Sequence, residues 1–236
     1  MQHFYIIVPA YNASQWIVRC LTVIENQNYS NYEVVVVDDC SEDDTWDKIQ
    51  QFPFHKIRNE KHTGSVVGNM VKTLSLYKSK SQNVDMVIDG DDWLPDFEVL
   101  NYLNELYKDD IWFTYGQFEP ISGKYHNFCQ PIHNTNTYRK KEEWTMGQLR
   151  TWKHWLWEKV KDADLRNWDG KYFIASCDRA FSYPMIEMAG SEHIRLADRV
   201  IYIYNDENPL CGFRMFPDEC QKRADYIISK KEYKRL

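Results

Sequence analysis

The sequence predicts an α/β fold with a mainly parallel central sheet flanked by helices, and three observations carry that expectation. Short apolar runs alternate with amphipathic helical segments through the first half of the chain. The runs do not alternate polar with apolar; Val34–Val37 is four valines in a row, as fits a strand buried on both faces. Three runs stop abruptly in polar or acidic residues, at Pro9–Asn12, Asp38–Ser41 and Asp89–Asp92. Open α/β sheets bind ligands beyond the carboxyl ends of their strands, which is where these residues would lie.

The elements follow in order. Phe4–Val8 reads as a first strand. Ser14 is placed to cap a helix whose apolar residues Trp16, Ile17, Cys20, Leu21 and Ile24 recur at helical spacing. Glu33–Val37 is a second strand, about 43–52 a second capped helix, and 55–59 a short strand. Gly64-Ser65 opens a helix carrying Val67, Met70, Val71, Leu74 and Leu76. Met86–Ile88 is a strand with an acidic end, followed by a helix from about Asp96 to Lys108 and a strand over Ile111–Tyr115. Residues 116–143 hold Pro120, Gly123 and Pro131 and read as hairpin or loop. Thr145–Val160 reads as a helix, with Met146, Leu149, Trp152, Leu156 and Val160 as one stripe. A helix N-capped by Asp178 runs to Gly190, with Pro184 expected to kink it or to start its regular part. Val200–Tyr204 is a last strand and about 218–229 a last helix.

Composition narrows the class. At 236 residues with 43% hydrophobic and 27% charged residues, the chain can bury a substantial core, and one domain is expected. A net charge of −6 argues against general attraction to nucleic acid or anionic membranes. The locally basic stretch Lys222–Arg235 reads as a solvated helix face and tail. Six scattered cysteines (Cys20, Cys40, Cys129, Cys177, Cys211, Cys220) form no CxxC pair, so a structural zinc site is not expected, and Cys20 reads as a buried thiol. No stretch approaches 18 apolar residues and no leader-like segment opens the chain, so a cytoplasmic protein, or a soluble piece of a larger one, is expected.

The acidic run is the strongest chemical signal. Asp89, Asp91 and Asp92 crowd three carboxylates into four positions, and like charges this close repel unless a cation joins them. Hard oxygen ligands suit Mg²⁺ or Mn²⁺, and Mg²⁺ is commonly held by one or two carboxylates plus substrate phosphates. A solvated acidic turn is the plain alternative.

Three segments in order, Ile6-Ile7-Val8-Pro9-Ala10-Tyr11-Asn12, Val35-Val36-Val37-Asp38-Asp39-Cys40-Ser41-Glu42-Asp43-Asp44-Thr45 and Val87-Ile88-Asp89-Gly90-Asp91-Asp92, resemble family 2 of the GT-A glycosyltransferases. There they read roughly IVPAYN, VVDDGSxDxT and DxDD. Leu149-Arg150-Thr151, Pro184–Gly190 and Tyr202–Asn205 with Asn208-Pro209 resemble a bacterial and viral subgroup. The resemblance implies a GT-A fold whose residues 1–115 bind a nucleotide-sugar and whose residues 116–236 bind the acceptor. It implies a metal-dependent inverting transfer of a sugar, a UDP-hexose by default, to a hydroxyl on a glycan, protein or lipid. One departure stands out. Gly68 occupies a position where many members place arginine before Asn69.

By this resemblance Asp39 accepts the uracil N3–H, with Asp38 the second choice, and N-capping is the structural alternative. Pro9, Ala10, Tyr11 and Asn12 wall the base, with Lys61 and Asn69 as weaker nucleotide contacts, and Tyr11 also reads as plain packing. Asp89 and Gly90 meet the ribose or order the metal, Asp91 ligates Mn²⁺ or Mg²⁺, and Asp92 is a further ligand or supports one. Asp178 matches the acceptor-activating base, although a simple N-cap predicts the same placement; Glu187 is the fallback. Arg150, Trp155 and Trp157 are weak acceptor contacts, and His193 is an outside choice for the metal. A homodimer through the aromatic second half is an open expectation.

Rivals come from other classes. A sugar nucleotidyltransferase would open with a Gly-rich loop and a basic residue after the first strand; Pro9–Asn12 has neither. GxGxxG and P-loop motifs are absent. A non-catalytic nucleotide-sugar or glycan-binding module stays open as the alternative function.

Overall fold

The computed structural model describes residues 1–77, 80–124, 126–141, 144–210 and 217–236. Cys211 lies outside the described residues, as do residues 125 and 142–143 of the stretch expected to be hairpin or loop. Among the described residues the seven strands are β1 (Phe4–Ala10), β2 (Tyr32–Asp38), β3 (His55–Arg58), β4 (Val84–Val87), β5 (Phe113–Pro120), β6 (Gly147–Lys153) and β7 (Ile194–Tyr204). They form one sheet in the order β3-β2-β1-β4-β6-β5-β7. β3, β2, β1 and β4 are mutually parallel, β6 is antiparallel to both β4 and β5, and β5 and β7 are parallel. The sheet is therefore mixed and mostly parallel.

The eight helices are α1 (Ile17–Glu25), α2 (Thr45–Ile49), α3 (Val66–Tyr77), α4 (Val99–Leu106), α5 (Thr135–Lys141), α6 (His154–Trp157), α7 (Cys177–Ala189) and α8 (Pro217–Ser229), counted among the described residues. They cover both faces. Phe4, Ile6 and Val8 pack with Ile17, Leu21, Leu100 and Leu103 on one face. Tyr5 and Ile7 pack with Val67, Met70, Phe181 and Met185 on the other. Successive strand residues point to opposite faces, so a strand covered on both sides must be apolar throughout. Val34 and Val36 go to the first core and Val35 and Val37 to the second.

Several expectations are corrected. Residues 147–153 are a strand, not the start of a helix. Leu149 and Trp152 lie three apart, which mimics helical spacing, yet they are buried in opposite cores, as an odd separation on a strand requires. Only the four residues of α6 within 145–160 are α-helical. The stretch expected to be loop carries the end of β5 and all of α5. α1 begins at Ile17 rather than behind Ser14, whose N–H donates to Asp43 Oδ2 at 3.2 Å and whose carbonyl accepts from Lys48 Nζ at 2.9 Å. α7 runs through Pro184, and its cap position is Ser176, in the left-handed region at φ 54°. Cys20 is buried, as expected, and Cys20, Cys40, Cys129, Cys177 and Cys220 are all free thiols. Among the described residues no helix is long and apolar enough to cross a membrane.

Candidate active site

The acidic ends of the strands meet at one edge of the sheet. Ala10 pairs with Asp38 across β1 and β2, and β4 lies against the other side of β1. Gly90 N–H donates to the Pro9 carbonyl at 2.9 Å. A Cβ at Gly90 would stand 2.9 Å from Ala10 Cβ and 3.1 Å from the Pro9 oxygen, so glycine is what lets the acidic turn close onto β1. Pro9 and Ala10 form the seat of that turn. Asn12, at φ 46°, ties β1 to β2: its N–H donates to Ser41 Oγ at 3.0 Å and its Oδ1 accepts from Glu42 N–H at 2.9 Å.

The three carboxylates of the turn have different surroundings. Asp92 is 1% exposed and accepts from Tyr202 OH at 2.7 Å and from Asn205 N–H at 2.7 Å, so both its oxygens face inward. Tyr202 OH also accepts from Asp89 N–H at 3.1 Å, which fastens β7 to the turn. Asp91 accepts from Asn208 Nδ2 at 2.6 Å. Asp89 has one long contact, from Gln148 Nε2 at 3.5 Å. Burial and the neighbouring Asp91 push the Asp89 carboxyl up to about 7. Burial also raises Asp91, and burial with Asp91 and Asp89 raises Asp92 further. Negative charge is crowded here beyond what the protein compensates, and a hard divalent cation would relieve it. Among the described residues no three His, Cys, Asp or Glu side chains converge to hold a metal by themselves. A cation held by one or two carboxylates plus diphosphate oxygens needs no such trio.

The second acidic strand end faces a different loop. Asp38 is fully buried, pairs with Arg58 Nε at 3.0 Å and accepts from Ser41 N–H, a structural duty that turns it away from any ligand. Asp39 anchors the loop after β3. Its carboxylate accepts from Asn59 Nδ2 at 2.6 Å, Thr63 N–H and Oγ1, and Gly64 N–H at 2.9 Å. His62 lies flat on Tyr11, ring centroids 3.8 Å apart at 26°, and its Nδ1–H donates to the Asp39 carbonyl at 3.1 Å. Asn69 is buried and bonds Asn59 at 2.8 Å, one step from Asp39, while Lys61 is exposed. Gly68 packs so closely on Ser65 and Tyr172 that an added Cβ would lie 3.2 Å from each. A larger side chain there would have to shift one of them.

Antiparallel β6 delivers the remaining polar groups. Met86 pairs with Thr151 and Val84 with Lys153, so Arg150 and Gln148 continue toward the Asp89 end of β4. Arg150 pairs with Asp178 Oδ2 at 3.0 Å and donates to Gln148 Oε1 at 2.5 Å and the Met146 carbonyl at 2.9 Å. Asp178 lies in the first turn of α7 and also accepts from Arg179 N–H at 2.9 Å; its side chain is 34% exposed, hence reachable. Asp89, Gln148, Arg150 and Asp178 line one cavity of about 170 Å³. A second cavity, of about 570 Å³, shares Gln148, Arg150, Ser176 and Asp178 with it and continues between Phe118, Trp144 and α8.

Other candidates lie elsewhere. The same antiparallel register that brings Arg150 to Asp89 carries α6 to the opposite end of β4, where Trp155 N–H donates to the Ser81 carbonyl. Trp155 packs edge-on against Trp112 and Trp157 stacks on Trp152, so neither meets the cavity. Glu187 is buried in an ion pair with Arg139 at 2.7 Å, and burial pushes it to about 7; it is no fallback base. His193 stacks on Trp112 at 3.7 Å and pairs with the start of β5, remote from the carboxylates. Sequence reasoning passed over Asn59, His62, Thr63, Gln148 and Arg179. Their signal is tertiary: single polar residues on loops and strands, brought in by the topology. Asn205 and Asn208 stood within a quoted segment without a role.

A family model described as Glycosyl transferase family 2 matches residues 5–175. The glucosyltransferase WfgD of Escherichia coli, described as UDP-Glc:alpha-D-GlcNAc-diphosphoundecaprenol beta-1,3-glucosyltransferase, is 30% identical over 121 residues, which are 50% of this chain and 46% of WfgD. The chain spans less than half the length of the first curated relatives it matches, 33% to 46%. Among solved structures, glucosyl-3-phosphoglycerate synthase from Mycobacterium tuberculosis, in complex with Mn²⁺, UDP and phosphoglyceric acid, superposes with TM-score 0.67 at 11% identity, over 98% of this chain and 80% of that one. The mannosyltransferase PcManGT from Pyrobaculum calidifontis, with GDP-Man and Mn²⁺, gives 0.63 at 18% identity, over 98% and 66%. At these identities the likeness is one of fold.

Proposed function

The chain belongs to glycosyl transferase family 2, and from that premise we propose that it transfers a hexose from a UDP-sugar to a hydroxyl of a glycan acceptor, inverting the anomeric centre. The observation that carries this reading is the single cavity in which Asp89, beside Asp91, faces Asp178 and Arg150. Donor and acceptor groups would meet there. The name of WfgD, a UDP-glucose enzyme, supports UDP-hexose as the donor class. We assign the two roles to the halves 1–115 and 116–236 of one domain.

Asp91 and Asp89 are the carboxylates suited to a divalent cation, with Asp92, bonded to Tyr202 and Asn205, holding the turn in shape. Bound there, Mn²⁺ or Mg²⁺ supplies positive charge against the diphosphate, most useful as charge grows on the departing UDP. Asp39 accepts the uracil N3–H, exchanging one of its contacts to Thr63 or Gly64. Asp178 takes the proton of the attacking hydroxyl on a carboxylate oxygen. Arg150, at 3.0 Å, fixes the direction of that carboxylate.

The test is UDP release from a panel of UDP-sugars with Mn²⁺ or with chelator. Asp91→Ala is expected to lower release by at least about 100-fold, the range expected when a transition-state charge stabiliser is lost. Its melting temperature is expected to hold, because removing one carboxylate relieves a crowded cluster. A wild-type chain that binds UDP-sugar yet never releases UDP would instead be a binding module.

A further inference from the structure

The larger cavity beyond Asp178 is lined by charge of the opposite sign to that of the whole chain. Among the described residues three charged side chains line it, Arg150, Asp178 and Arg179, in a protein whose net charge is −6. Arg150 and Asp178 neutralise one another at 3.0 Å, and Arg150 is further bound to Gln148 and to the Met146 carbonyl. Arg179 is the surplus. Its guanidinium lies 5.0 Å from the centre of the Trp144 ring, and no carboxylate of the described residues pairs with it. A guanidinium held on an aromatic face keeps its edge donors available, and that edge matches a carboxylate or a phosphate.

The wall around it is aromatic. Phe118, Phe128, Trp144 and Tyr204 all line the cavity, and Phe128 is 42% exposed. Such faces suit the apolar side of a sugar ring, while the volume of about 570 Å³ exceeds the inner cavity's 170 Å³ and leaves room for more than one ring. The cavity shares Asp178 with the inner site, so whatever fills it ends at that carboxylate.

We propose that this cavity binds an anionic saccharide, with a carboxylate or phosphate of the sugar chain held by Arg179 beside Asp178. That this saccharide is the acceptor rests on the transferase reading above; the anion site itself does not. Asp178 does not repel such a ligand, because Arg150 compensates it.

Calorimetric titration of the whole chain tests this with three probes of equal length: trigalacturonate, a galactotriose carrying a 6-phosphate and neutral galactotriose. At least one anionic probe is expected to bind about tenfold or more tighter than galactotriose. That preference should shrink as salt rises from about 50 to about 200 mM. Binding of only the uronate or only the phosphate identifies the source of the charge, and either supports the site. Arg179→Gln is expected to abolish the preference and Arg179→Lys to retain part of it. Equal affinity for neutral and anionic probes, no binding of either anionic probe, or a preference that survives Arg179→Gln would overturn the proposal. Should Arg179→Gln fail to fold, the wild-type preference, its salt dependence and Arg179→Lys still decide. Titration of UDP with Mn²⁺ in parallel separates the two readings. Anion preference without UDP binding sinks the transferase and leaves the site, whereas UDP binding and turnover without anion preference does the reverse.

Discussion

His62 stands where a planar base would be expected to stand. Its ring lies 3.8 Å from Tyr11, too close for a third ring to enter between them, and it hydrogen-bonds the residue proposed to read uracil. With the base on Tyr11, as the family resemblance implies, nucleotide binding unstacks the imidazole, and a stacked aromatic pair is worth about 0.5–1.5 kcal/mol. Removing the imidazole removes that cost. His62→Ala is expected to bind UDP about two- to tenfold tighter than wild type in calorimetric titration. Weaker binding would mean that His62 instead walls the base from outside. At this scale the sequence was legible where charge stands in a motif: Asp39 follows β2, Asp89 and Asp91 follow β4, and Asp89 and Asp178 line one cavity, while their chemical roles are the proposal above. Their partners were not legible. Asn59 reaches Asp39, Gln148 reaches Asp89, Tyr202 reaches the neighbouring Asp92 and Asn208 reaches Asp91 from 20, 59, 110 and 117 positions away, distances that only the topology closes.

β6 shows why one element was misread. A strand buried on both faces has no period of two to display, so the spacing of Met146, Leu149, Trp152 and Leu156 fits a helix equally well. What decides is the slot between β4 and β5, which needs a strand. The parallel strands β1, β2 and β4 were legible because each is a short apolar run with a punctuated end. The short helix after β6 docks through a buried pair, His154 Nδ1 to Asp85 Oδ2 at 2.6 Å. Burial works against the charged imidazole, but the hydrogen bond and charge of Asp85 outweigh it, so the His154 pKa is raised above its ordinary 6.5. A raised histidine pKa means stability that is fully present below pH 6.5 and lost as pH climbs through the folded value. Wild type is expected to have a higher denaturant midpoint at pH 6 than at pH 8, and His154→Ala to show a smaller difference, the remainder belonging to the buried carboxyls Asp89 and Glu187. The variant should also be less stable by about 3–5 kcal/mol at pH 6, the cost of breaking a buried pair by removing one partner. A difference between pH values that is undiminished in His154→Ala would assign it wholly to those carboxyls.

Across the whole molecule, the acidic turn sits where β1 and β4 of the first half of the chain meet β6 and β7 of the second. β1 seats it through Pro9, β7 holds it through Tyr202, and β6 approaches it through Gln148. Filling it should therefore stabilise the chain as a unit rather than one loop. With ligand at about 100 times its Kd, the gain is about 2.7 kcal/mol, or some 5–10 °C in melting temperature for a chain of this size. The pH dependence follows from Asp89, which burial and Asp91 push from 3.8 to about 7. Between those values the folded metal-free protein holds a proton that the unfolded chain has released, so its stability falls as pH rises through that window. A cation replaces that proton, and it binds more tightly once the carboxyl is ionised. The melting-temperature increase on adding Mn²⁺ with UDP is thus expected to be larger at pH 8 than at pH 6. Asp91→Asn should lose most of the increase at both values, while UDP with chelator should give little. An increase that is independent of pH and of Asp91 would place the cation elsewhere on the molecule and leave the acidic turn as the solvated alternative.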